Sequence, residues 1–159
     1  MRPGRAALAL ALALAGVGLA RAAEPPTVQA EIRRAVGIVG GFTSEEPALR
    51  QERGSGEPSP GFLLGAALGA WMNAAAQLDF DLKNPQGIGP AHAHLGQEGA
   101  DILREECREE AVAFEHMETR AKALGLTPEA AAAAGGVASG GTAEAWIRRR
   151  QGPVAGCRL

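Results

Sequence analysis

Hydrophobic and polar positions along the chain alternate with helical, not strand, periodicity. After Pro25-Pro26, Val28, Ile32, Ala35, Val36 and Val39 recur at steps of three and four, Thr27 can cap the start, and Gly40-Gly41 stops the pattern. The longest uncharged run follows at Gly61–Leu78, GFLLGAALGAWMNAAAQL, whose clearly polar side chains are Asn73 and Gln77. A helix apolar nearly all round belongs where neighbours cover every side. Gly61, Gly65 and Gly69 fall four residues apart, so on a helix they line one side and leave a groove that another backbone can approach closely. A third periodic stretch runs from about Glu98 to Leu124. In it Leu103, Cys107, Glu110, Phe114, Met117, Ala121 and Leu124 form one seam.

The punctuation between these runs sets the order of elements. Residues 43–60, TSEEPALRQERGSGEPSP, are charged and rich in Pro, Gly and Ser, and read as a flexible, solvated linker. Asp79 to Pro90 reads as a turn-rich connection around Asn84-Pro85. Gly125-Leu126 fits a helix C-terminal cap, and Thr127-Pro128-Glu129 opens a short alanine-rich helix closed by Gly135-Gly136. A last helix is expected from Thr142 into Arg148-Arg149-Arg150, ended by Gly152-Pro153. No stretch carries the β-branched alternation of a strand. The expected fold is all-α, a bundle of four or five helices packed around Gly61–Leu78 as a single domain over residues 23–159.

Composition sharpens this picture. Aromatic residues are 4% of the 159 and Tyr is absent, while Gly contributes 22, so a core of Ala, Leu and Val must close by tight helix packing. Residues 1–22 read as a secretory signal, with Arg2 and Arg5 ahead of the apolar run Ala6–Leu19 and Ala20-Arg21-Ala22 as the cleavage pattern. Removing Arg2, Arg5 and Arg21 leaves 13 basic against 18 acidic residues, a net charge of −5, which gives no basic stripe for nucleic acid. Export to the periplasm or the medium favours joining the only two cysteines, Cys107 and Cys157.

Candidate chemistry is sparse. His92, His94, Glu98, Asp101, Cys107, His116 and Met117 hold the residue types of a metal site, and His94, Glu98 and Asp101 would share a helix face. Gly96 and Gly99 interrupt that helix, and Cys107 is better used in the disulfide. No Cys-x-x-Cys-His haem attachment motif occurs, and neither metal nor cofactor is expected. Glu110 on the apolar seam is the one lone acid with the makings of a general acid, if burial raises its pKa and no base such as Arg34 or Lys83 pairs with it. The expected function is therefore non-enzymatic: an exported protein that binds another protein, as inhibitor, immunity-type partner, accessory subunit or assembly factor, with Gly61, Gly65 and Gly69 as the partner groove. Self-association through that groove is a variant of the same reading. The alternatives are a membrane-associated protein that inserts Gly61–Leu78, long enough with Pro58–Pro60 to span a bilayer, and a periplasmic metal binder using His92, His94 and Glu98.

Overall fold

The computed structural model describes residues 26–91, 98–137, 142–150 and Cys157. Among them the chain forms seven α-helices and no strand: α1 (Val28–Val39), α2 (Glu46–Arg53), α3 (Pro60–Lys83), α4 (Pro85–Ala91), α5 (Gly99–Ala123), α6 (Pro128–Ala134) and α7 (Thr142–Arg150). The fold is all-α. The expected signal sequence, residues 1–22, lies outside the described residues.

Local chemistry explains where each helix begins and ends. The hydroxyls of Thr27, Ser59 and Thr127 accept from the backbone N–H three residues on, at 3.1–3.2 Å, capping α1, α3 and α6. Pro60 and Pro128 occupy first helical positions, where no N–H is needed. At the end of α5, Gly125 takes φ 70° and the N–H of Leu126 reaches back 2.9 Å to the Ala121 carbonyl.

α3 is the centre. Leu64, Leu68, Trp71 and Ala75 face one apolar cluster, which Ile32, Met117, Ala121, Ala131, Ala132, Ala143 and Ile147 complete. Phe62, Ala66 and Ala70 face a second, built with Ala35, Val39, Ala48 and Leu49. Trp71 and Phe62 are wholly buried, and Trp71 meets Phe114 edge-on at 5.3 Å. Two large rings and many alanines fill the interior.

The glycine face of α3 holds α1. A Cβ built on Gly65 would lie 2.7 Å from Ile32 Cα and 2.8 Å from Ala35 Cβ, and closer still to the Ile32 carbonyl oxygen. At Gly61 it would meet Glu31 and the Val28 carbonyl, and at Gly69 the Val39 side chain. The groove expected to take a partner is thus filled by the chain's own first helix. Asn73, one turn further along the same face, donates to the carbonyls of Gly40 (2.7 Å) and Phe42 (2.6 Å) and so pins the turn that leaves α1.

Two stretches are more ordered than their composition suggested. The segment expected to be a flexible linker contains α2, fastened by Arg34, whose guanidinium donates to both Glu52 oxygens (2.6 and 2.7 Å) and stacks 4.6 Å from the Phe62 ring centre. Arg120 of α5 grips Glu45 just ahead of α2 and also donates to the Leu63 carbonyl at 2.7 Å. Asp79 to Pro90 is helical on both sides of Asn84, because α3 runs on to Lys83 and α4 restarts at Pro85. Cys107 of α5 and Cys157 stand at disulfide distance, Cα–Cα 5.7 Å across 50 residues, a closure worth roughly 4 kcal/mol in the chain-entropy account.

The two glycine environments give opposite expectations. Gly65→Ala forces α1 away from α3 and should cost about 3 kcal/mol, the upper part of the overpacking range. Gly37→Ala, in mid-α1 with nothing within 4 Å of the new Cβ, should stabilise by up to about 1 kcal/mol. Urea unfolding of both variants measures the two signs.

A candidate protein-binding trough

With the glycine face occupied, the open concave surface lies between α3 and α5. Its floor is a stripe of α3 residues at steps of three and four: Ala67, Ala70, Ala74 and Gln77. Small side chains there keep the surface low. One wall is α5, presenting Glu106, Glu109, Ala113 and His116, again at helical steps, with Arg108 and Val112 beside them. The other wall is the Thr43–Glu45 segment, held down by Asn73 and Arg120. The upper part, at Ala67 and Ala70, encloses about 440 Å³, the lower part, at Ala74 and Gln77, about 270 Å³, and the two share Thr43 and Glu109. From Ala67 to Gln77 the floor runs about 15 Å at 1.5 Å per residue. One large apolar side chain on its wall, Val112, stands 52% exposed.

Charge is distributed unevenly along the trough. At the upper end Glu45 is neutralised by Arg120 (2.7 Å), with the exposed His116 imidazole 4.0 Å away, and Arg108 is paired with Glu105. At the lower end Asp81 is 5% exposed and accepts from Gln77 Nε2 at 2.8 Å. Glu106 faces it from α5, with Oε2 buried and without a hydrogen-bond partner among the described residues. Burial first, then the hydrogen bond and the charge of Asp81, raise the Glu106 carboxyl from 4.5 to about 7.

The other buried acid, Glu110, belongs to the core. It is 1% exposed, accepts from Trp71 Nε1 at 2.8 Å, and faces Arg150 Nε at 3.4 Å. Its basic neighbour is Arg150, not Arg34 or Lys83. Beside it Arg149 donates to Asp79 at 3.0 Å, and the Lys83 hydrogen bond, with Arg149 helping, holds the Asp79 carboxyl below its usual range. Two arginines of the Arg148–Arg150 triplet therefore clamp α7 onto α3 and α5. Sequence periodicity placed Glu110 on the seam, but nothing in it linked residues 71, 110 and 150.

The histidine-centred cluster is only partly visible, since His92 and His94 lie outside the described residues. Asp101 pairs with Arg104 at 2.6 Å, Met117 is fully buried, and Cys107 is engaged with Cys157. Among the described residues no group of three or more His, Cys, Asp or Glu is placed to hold a metal ion. One helix among them, α3, is long and apolar enough to cross a membrane by length and composition, and 72% of that apolar window is buried inside the molecule. No protein family, curated protein or solved structure matches the chain.

The Asp81–Glu106 contact gives a signed pH dependence. The folded state holds the Glu106 proton more tightly than the unfolded chain does. Stability is therefore greatest below about pH 4.5 as far as this group is concerned, and it is lost as pH rises through about 7. Glu106→Gln should be more stable than wild type at pH 8 and should flatten the decline between pH 5 and 8. Thermal melts across that range test both signs.

Proposed function

We propose that this chain is an exported, non-enzymatic protein that binds a segment of another protein in the trough between α3, α5 and Thr43–Glu45. The observation that carries the reading is the trough itself: a floor of alanines with Val112, more than half exposed, on its wall. Apolar side chains that remain in water beside a concave surface gain most from a partner that covers them. The floor length of about 15 Å suits roughly three turns of a helix or a short extended strand. At the upper end Glu45 and Arg108 are already paired within the chain, which leaves shape and apolar area as the main recognition features there.

Export is supported by the N-terminal sequence pattern, and the Cys107–Cys157 pair is compatible with an oxidising compartment. The membrane-associated reading has less support, because insertion of α3 would require stripping away α1 and α5, which already cover it. Self-association through Gly61, Gly65 and Gly69 meets the same obstacle at α1.

A photo-crosslinking residue placed at Val112, or at Val28 as an exposed control, tests the proposal in the native exported fraction. One protein should be captured from position 112 and not from 28. In purified form that protein should bind Val112→Glu at least about tenfold more weakly, the loss of one well-covered apolar contact plus a buried charge. Equal capture at both positions, a product of twice this chain's mass, or unchanged binding to Val112→Glu would overturn the reading.

A further inference from the structure

The charges of the trough point to the chemistry of what it binds. Four other partly or fully sheltered acids each meet a cation of this chain: Glu52 meets Arg34, Glu45 meets Arg120, Asp79 meets Lys83 and Arg149, and Glu110 meets Arg150. The acids of the lower trough break that pattern. Asp81 and Glu106 have Gln77 beside them, and no Lys or Arg of the described residues reaches either. Glu109, on the next turn of α5, is exposed and without an ion pair among the described residues. Two carboxyls, Glu106 and Glu109, thus line a cleft of about 270 Å³ whose remaining lining is Thr43, Ala74 and Gln77, with the buried Asp81 behind the Gln77 amide.

We infer that the occupant of the trough is a cationic segment of a partner protein, with an apolar side chain over Ala67 and Ala70 and a Lys or Arg about 10 Å further along that enters beside Glu106 and Glu109. This deepens the proposed function and rests on it. The distance follows from the seven-position step along α3 from Ala70 to Gln77. An incoming ammonium or guanidinium supplies the donor that Glu106 Oε2 lacks, and it meets the carboxyls of Glu106 and Glu109 in a place partly shielded from water. A neutral segment would cover the acids without replacing their hydration, and an acidic one would be repelled.

The cation also competes with the proton on Glu106. The groups that face Glu106 are Asp81 and Gln77 of α3, Glu109 of its own helix and Thr43 of the connecting segment, with His116 of α5 further up the wall. Glu106 is the member whose proton is lost near neutral pH. Binding should therefore tighten as pH rises from 6 to 8, and any positive charge on the exposed His116 imidazole at the lower pH would act in the same direction. His116→Gln separates the two, since it should leave most of the pH dependence in place.

The test is a random peptide display library panned on the folded chain at pH 8, with enriched sequences remade as synthetic peptides. Peptides carrying an apolar residue and a Lys or Arg should dominate. Their affinity should fall at least about fivefold from pH 8 to pH 6, by proton linkage at one group. It should fall on the order of tenfold in Glu106→Gln/Glu109→Gln, the scale of a hydrogen bond to a charged group, while Glu118→Gln, an exposed acid off the trough, should leave it unchanged. Enriched peptides without basic residues, or cationic peptides equally weakened by Glu118→Gln, would overturn the inference. So would a natural partner captured at Val112 through a segment lacking Lys and Arg, although the binding function would then stand. If nothing is captured at Val112 while cationic peptides bind as described, the natural-partner reading fails and the trough chemistry stands.

Discussion

The approach of α1 to α3 across Gly61, Gly65 and Gly69 is the contact on which the remaining packing depends. With no side chains between them, the two backbones come close enough for Ile32, Ala35 and Val39 to reach past α3 on both sides. Ile32 enters the cluster around Trp71, and Ala35 and Val39 enter the one around Phe62. An interior with few rings and many alanines depends on such closeness, since dispersion forces fall steeply with any gap. The same contact fixes where α1 ends. Asn73, next on the glycine face, then captures the turn at Gly40–Phe42 and directs the following segment along the edge of the trough.

Sheltered charge is arranged around that centre with a consistent logic. Arg34, Arg120, Arg149 and Arg150 each tie a peripheral segment to the bundle, and each meets a carboxylate that burial alone would penalise. Arg150 lies beside the Trp71–Glu110 hydrogen bond, so α7 is held at the most buried polar point of the core. The Cys107–Cys157 pair holds the chain beyond α7 to the same helix, α5. Asp81 and Glu106 have no such cation among the described residues. The exception lies at the lower end of the trough, where the proposed partner segment would supply the cation.

Much of the fold was legible in the residues, for identifiable reasons. The periods of α1, α3 and α5, the caps at Thr27 and Thr127, the Gly125 terminator and the lone cysteine pair are local signals, and the structure places helices and the pair accordingly. α2 was missed because its eight residues carry only Ala48 and Leu49 as buried apolar positions, and because its anchors, Arg34 and Arg120, are distant in sequence. The glycine groove was legible as a close-packing surface, but its occupant was not. Spacing shows that a backbone can approach, and says nothing of whether it comes from the same chain. The trough was hidden for a related reason. Its floor of alanines looks like any core helix, and its acids become a group only when α3 and α5 lie side by side.

The account stands on α3 being the buried axis of a water-soluble bundle. Hydrogen exchange of the full chain in detergent-free buffer measures this directly, residue by residue. Amides from Leu64 to Leu78 should be the slowest in the molecule, with α1 amides facing Gly65 next, because they open only when the two apolar clusters come apart. Rapid exchange through α3 in buffer, with protection gained only on adding detergent or lipid, would contradict the account and make that helix a membrane element.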